Sequence, residues 1–355
     1  MALDTIKFVD SLIKEGYTHL CVVPCSFAKN VINEVINNEN IEYVPCASEA
    51  VAVSIAAGLK MSGSKPIVIV QSSGLTNMGS NITSLLKPYG VTFPILTSWR
   101  TYKDGDSEIQ HQHLATQLPK LIEAYGYEHT ILDQNDITTA INQINDCDNS
   151  FTIGIIKKDS FSKVELDDKH KLDLSSYTAR SKFLINLNDK FQDTDALFIG
   201  TTGNTAREMY SFMPDTKNFY MAGNMGGALS LGLGAAMSGR KVIVLGGDAE
   251  FVMHMGGLTT AGRYNDLDLT YILFDNEQNK STGGQNTYQS HVDYKSIVKA
   301  SDINIINKTI TKIDDFSATL DSLNSETNFI YVKCGLDDET PRPPLEVVKV
   351  DKFVN

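Results

Sequence analysis

Short apolar runs alternate with stretches of helical period along the chain. Residues 18–23, 41–46, 66–71, 93–99 and 150–156 read as strands, being apolar runs too short for a buried helix and bounded by turn-forming residues. Between them, residues 27–37 and the alanine-rich stretch 49–61 carry apolar positions at three- and four-residue spacing, and a Gly, Ser and Asn loop after residue 71 opens a further helix. The alternation returns with strands predicted at 196–199, 218–221, 241–245, 270–274 and 329–334. Strands that alternate with helices predict an α/β chain, its parallel sheets covered by helices on both faces. From Lys157 to Tyr177 the rhythm collapses into Lys, Asp, Ser and Leu. Two domains are therefore expected, at 1–160 and 178–355, joined by a linker at 161–177, a division that suits 355 residues. Repeats of solenoid length are absent, yet the shared alternation leaves room for one architecture used twice.

Composition narrows the function classes. A formal net charge of −12 argues against nucleic acid, whose phosphates need clustered Lys and Arg. It leaves open a small anion held by a few local cations. Five cysteines, an odd number without paired zinc-ligand spacing, are expected to be buried thiols. Asp4, Lys7, Asp10, Lys14 and Glu15 interrupt the apolar rhythm of the first residues, so neither a signal peptide nor a membrane span is expected there, and a cytoplasmic protein is.

The strongest chemical signal is Gly247-Asp248-Ala249 at the end of one predicted strand, with Asp275-Asn276 at the end of another. Both clusters then lie at the carboxyl edge of a parallel sheet, where open α/β sheets bind ligands. Asp248 and Asn276 offer hard oxygen ligands, and the Gln278 carbonyl a third. Positions remain for water and phosphate oxygens, which suits Mg²⁺. Thr201-Thr202-Gly203 follows a strand, and its hydroxyls and amides are placed to hold a diphosphate. In Gly223-Asn224-Met225-Gly226-Gly227 the glycines permit close backbone approach. Glu49 opens a helix; by itself that is a capping or dipole position.

Taken together these residues resemble the thiamine diphosphate-dependent decarboxylases, whose motif is Gly-Asp-Gly followed by a terminal Asn. Here Ala249 stands in the third place, a departure that matters only if a positive φ is required. The resemblance implies pyrimidine- and diphosphate-binding domains of doubly wound parallel-sheet type, with no middle domain. It makes Glu49 the glutamate that hydrogen-bonds the aminopyrimidine, and Met225 the apolar wedge beneath the cofactor; the alternative for Met225 is core filling. Thr201, Thr202, Gly203, Asn224, Gly247, Asp248, Ala249 and Asn276 become cofactor-binding residues, and Asp248, Asn276 and Gln278 the Mg²⁺ ligands. The family's sites lie between subunits, so a homodimer or higher homo-oligomer is implied.

Within that group, Val23-Pro24-Cys25-Ser26-Phe27, Ser98-Trp99-Arg100, Glu108-Ile109-Gln110-His111, Arg207-Glu208-Met209-Tyr210 and Ser281-Thr282-Gly283-Gly284-Gln285 look like segments of the phosphonopyruvate decarboxylases, with sulfopyruvate decarboxylases as near relatives. The substrate so implied is a small anionic 2-oxo acid, decarboxylated in phosphonate biosynthesis. Ser26, Lys29, Arg100 and Lys280 are the substrate residues; an Arg after a strand is otherwise a surface ion-pair former. His111, placed in a loop, is a proton donor to the carbon that loses CO₂, or else a solvent-exposed histidine. Asn279 and Lys280 depart from the His and acidic residue usual there, and Asn224 replaces a Ser, which keeps a sulfopyruvate decarboxylase or a carboligase as alternatives. An inactive cofactor binder is a third, opposed by the intact Glu49, Asp248 and Asn276. A dinucleotide-binding module fails because Gly232-Leu233-Gly234 precedes its strand and Met237 occupies the third glycine's place.

Overall fold

The computed structural model describes residues 2–100, 109–287, 291–306, 309–337 and 340–344 of the 355. They form two compact units, one of Met1–Lys171 with Asn279–Gln285, the other of Leu172–Gln278 with Asn286–Asn355. The main division lies between Lys171 and Leu172, and residues 279–285 group with the first unit.

In the first unit the strands are β1 (His19–Val22), β2 (Glu42–Pro45), β3 (Pro66–Val70), β4 (Ile95–Ser98), β5 (Glu128–Ile131) and β6 (Thr152–Ile156), in spatial order β2-β1-β3-β4-β6-β5 and parallel throughout. All five residues of β3 are buried, each large apolar side chain contributing roughly 1.5–3 kcal/mol relative to exposure. By contrast β5, the edge strand, reads Glu-His-Thr-Ile and is half exposed, so no apolar run betrays it in the sequence. Helices α1 (Thr5–Lys14) and α2 (Lys29–Asn37) bury Phe8, Leu12, Val31 and Ile32 on one side of the sheet. Helix α3 (Glu49–Met61) starts where the Ser48 hydroxyl caps the Val51 N–H at 3.4 Å, and it buries Glu49 with Ala52, Val53, Ala56 and Ala57. Two further helices are α4 (Ile109–Ala124) and α5 (Ile137–Asn149).

The second unit contains β7 (Leu197–Gly200), β8 (Lys217–Tyr220), β9 (Val242–Gly247), β10 (Leu269–Asp275), β11 (Asn304–Ile305) and β12 (Thr327–Lys333). Their order is β11-β12-β10-β9-β7-β8, again all parallel. Counted from each unit's first strand, both sheets read 2-1-3-4-6-5, so one doubly wound architecture is used twice, with no middle domain among the described residues. Apolar clusters cover both faces of the second sheet, one around Phe183, Phe198 and Phe274, the other around Val244, Phe251 and Phe329. The two-residue β11 is the strand that the sequence pattern does not show.

All five cysteines are buried as free thiols. Among the described residues no helix is long and apolar enough to cross a membrane.

Candidate active site

In both sheets the crossover direction reverses between the first and third strands, which is where open α/β sheets leave a crevice at their carboxyl ends. In the second unit those strands are β7 and β9. After β7, Thr201 is 2% exposed, and its hydroxyl has no hydrogen-bond partner among the described residues. A buried hydroxyl left unpaired costs about 1–3 kcal/mol, which an oxygen-rich ligand there relieves. Thr202 and Gly203 are half-buried; Gly203 has φ +84° and leads into α6 (Asn204–Phe212).

Strand β9 ends at Gly247, and Asp248 opens α7 (Asp248–Met253). The register pairs Gly247 with Phe274, so Asp248 and Asp275-Asn276 leave adjacent strands side by side. Asp248 is 4% exposed and accepts the Thr287 hydroxyl. Burial, then the nearby Asp275 charge, holds its carboxyl far above the usual range. Burial also raises Asp275, against the pull of the Tyr331 hydroxyl at 2.5 Å and the Glu277 N–H at 2.9 Å. Glu277 has φ +58°, uncommon for a side-chain-bearing residue, and pairs with Lys333. This bend brings the Gln278 N–H to 3.5 Å from the Asn276 side-chain oxygen.

Of these two neighbouring buried carboxyls, Asp275 feels the charge of Lys333, which is already paired with Glu277, and a divalent cation would supply further counter-charge. Among the described residues no three His, Cys, Asp or Glu side chains gather as a metal cage. The donors present, one carboxylate, an amide oxygen and a carbonyl, fit a hard cation that completes its shell with water and ligand phosphate. Ala249 lies within α7 without a positive φ, so it carries no strain there.

Asn224 is exposed with φ +57°, its carbonyl accepts the Gly227 N–H at 3.0 Å, and Met225 beside it is half-buried. Gly226 has φ +91°, and a Cβ there would stand 2.9 Å from the His254 ring. The turn leads into α8 (Ala228–Met237).

In the first unit, Glu49 is 5% exposed at the start of α3. The Asn77 amide donates to its Oε2 at 2.9 Å. A Cβ on Gly74 would lie 2.4 Å from its Oε1, so only glycine leaves the carboxylate its place. At the carboxyl edge of the sheet, Arg100 is 6% exposed, donates to the Ser26 hydroxyl at 2.6 Å and lies 4.6 Å over the Phe27 ring. His111 is in α4 rather than a loop and is buried, its Nε2 3.4 Å from the Gln71 amide nitrogen, which donates to Ser73 at 2.8 Å. The structure thus brings Ser26 and Arg100 together. Lys29 is exposed on α2, and Lys280 is half-buried in a short turn. Glu108 lies outside the described residues.

The sequence reading did not single out Gly74, Asn77, Gln71, Thr287 or Glu250. Only the glycine-rich loop after β3 hinted at the first two, since a contact across two elements has no local signature. Glu250 is 3% exposed and accepts the Tyr271 hydroxyl at 2.8 Å; burial pushes its carboxyl up to about 7 against the pull of that hydroxyl and of the Ala228 and Gly247 N–H groups.

Two family models match the chain: the N-terminal TPP binding domain of thiamine pyrophosphate enzymes over residues 7–118, and the C-terminal TPP binding domain over residues 199–334. The phosphonopyruvate decarboxylase of Streptomyces viridochromogenes is 28% identical over 323 residues, covering 86% of this chain and 81% of that one. The sulfopyruvate decarboxylase subunits of Methanocaldococcus jannaschii match in part. Subunit beta is 32% identical over 37% of this chain and 70% of its own length. Subunit alpha is 30% identical over 38% of this chain and 73% of its own length.

Proposed function

Since the chain belongs to the thiamine pyrophosphate enzymes, as a decarboxylase of the phosphonopyruvate and sulfopyruvate type, we propose that it converts 3-phosphonopyruvate to phosphonoacetaldehyde and CO₂ with Mg²⁺ as the metal. The observation that carries the substrate choice is the buried Arg100, bonded to Ser26 and stacked on Phe27, in a protein of net charge −12. A guanidinium fixed in this way is preorganised for a tripodal oxyanion, and holding it in place costs little at the moment of binding.

Thiamine diphosphate, when bound, supplies the nucleophilic carbon and the electron sink that a 2-oxo acid needs to lose CO₂. Glu49, held by Asn77, is the residue that bonds the aminopyrimidine. Asp248, Asn276 and the Gln278 carbonyl hold the metal, and Thr201, Thr202 and Gly203 the diphosphate. Arg100 and Ser26 receive the anionic headgroup, with Lys29 and Lys280 as more peripheral cations. His111, buried near Gln71, donates a proton to the carbon that CO₂ leaves. Assay of CO₂ and aldehyde release from phosphonopyruvate, sulfopyruvate and pyruvate tests the assignment; a preference for sulfopyruvate moves it to the sister reaction.

We further propose a homo-oligomer in the cytoplasm. Each unit carries an apolar helix stripe open to solvent, Val51, Ile55 and Met61 on α3 and Leu231 and Met237 on α8. Gly58 and Gly234 on the same helices have open space where a Cβ would stand, room for a close helix from another subunit. Sedimentation that shows only monomers at micromolar concentration would refute this.

A further inference from the structure

A carboxylate inside an aromatic cluster is costly, and an apolar side chain of similar size is often at least as stable there. Glu250 is such a group. The Tyr271 ring stacks 6.2 Å from Phe251, and Phe251 meets Tyr294 and Phe329. From β10 the Tyr271 ring reaches across β9 to Glu250, and β9 gives up a side chain to admit it: a Cβ on Gly246 would lie 2.3 Å from Tyr271 Cε2. The residues so engaged surround the motif. Gly246 is two positions before Asp248 and Glu250 two after it, on the same short helix α7. The Ala228 N–H, which also faces the Glu250 carboxylate, is the first of α8, directly after the Asn224–Gly227 turn.

We propose that Glu250 is a positioning residue for cofactor binding. Through Tyr271 it fixes α7, and therefore the Asp248 carboxylate, against the end of β9. Through the start of α8 it sets the turn that presents Met225. The inference rests on Asp248 being a ligand of the metal and diphosphate. Gly246 belongs to the same device, because any side chain there displaces the tyrosine.

Direct titration of the full-length protein with thiamine diphosphate at saturating Mg²⁺, followed by near-ultraviolet circular dichroism, tests it on wild type, Glu250→Gln, Tyr271→Phe and the double variant. Glutamine keeps an acceptor for Tyr271 but turns N–H donors toward the backbone N–H groups. Losing outer-shell support around a metal site typically costs about 10- to 100-fold in affinity, so each single variant should raise the cofactor Kd by up to that factor. The double variant should be weaker by less than the product, as contacting residues are not additive. In turnover the loss should fall mainly on the cofactor KM. Folded Glu250→Gln and Tyr271→Phe proteins with wild-type Kd would overturn the proposal and leave the pair as core packing. Should Glu250→Gln not fold, Tyr271→Phe, which deletes a single oxygen, decides alone. Wild-type protein that binds no thiamine diphosphate would instead overturn the cofactor reading, and this inference with it.

Discussion

The Asn77 side-chain amide donates to Glu49 Oε2 at 2.9 Å. The loop after β3 therefore aims the carboxylate that begins α3, and Gly74 of the same loop leaves it room. Sequence separation hides the pair, since donor and acceptor stand 28 positions apart.

If Glu49 acts on the aminopyrimidine, Glu49→Gln should slow exchange of the cofactor's C2 proton by about 10²- to 10⁴-fold, the usual worth of an acid–base group. Asn77→Ala should cost less, about 10- to 100-fold, as for one hydrogen bond to a charged group. Gly74→Ala should approach the glutamine variant, because the carboxylate must move. Quench-flow NMR of the bound cofactor measures all three; wild-type exchange in Asn77→Ala and Gly74→Ala would leave Asn77 without an orienting role.

If Asp248 holds a cation, removal of that cation should unmask its buried carboxyl, next to the already buried Glu250. Glu250 and Asp248 are both raised, so in the cation-free protein their contribution is complete below their ordinary range near pH 4. Stability should then decline as pH rises toward about 7, because the unfolded chain ionises first. Added Mg²⁺ should restore much of the loss at and above neutrality, where it replaces the proton on Asp248. Melting temperatures from pH 5 to 8 in chelator and in Mg²⁺ check this; a cation-free protein more stable at pH 8 than at pH 5 would contradict it.

Asp248→Ala should fold, because it removes a carboxyl that burial makes costly to ionise, yet fail to regain activity when thiamine diphosphate and Mg²⁺ are returned after dialysis. Isothermal titration should show no Mg²⁺-dependent cofactor binding. Tight Mg²⁺-dependent binding by this variant would move the metal elsewhere.

Headgroup selectivity should reside in Arg100. A charge-assisted contact contributes about 1.5–3 kcal/mol, so kcat/KM for phosphonopyruvate should exceed that for pyruvate by at least about tenfold per contact. Arg100→Ala should compress that ratio by harming phosphonopyruvate, whose phosphonate pyruvate lacks, while Lys29→Ala, at an exposed position, should change it little. Equal losses for both acids in Arg100→Ala would make the arginine a structural residue.

Much of the architecture was determined locally. The runs at β3, β9 and β10 are buried on both faces, so their strand character is written in consecutive apolar residues. The edge strand β5 and the two-residue β11 are not, since half-exposed strands tolerate polar residues. Glu49, Thr201, Asp248 and Asn276 were legible as candidates, because strand ends and helix starts follow from position along the chain, while the role given to Glu49 came from the family resemblance. Tertiary structure alone decided that His111 is buried in a helix, that Arg100 rests on Phe27 and Ser26 while Lys29 faces solvent, and that Ala249 is unstrained. It alone supplied the partners Asn77, Gly74, Tyr271 and Gly246. Side-chain direction and the space opposite a glycine depend on which elements pack together, and no spacing within one element encodes that.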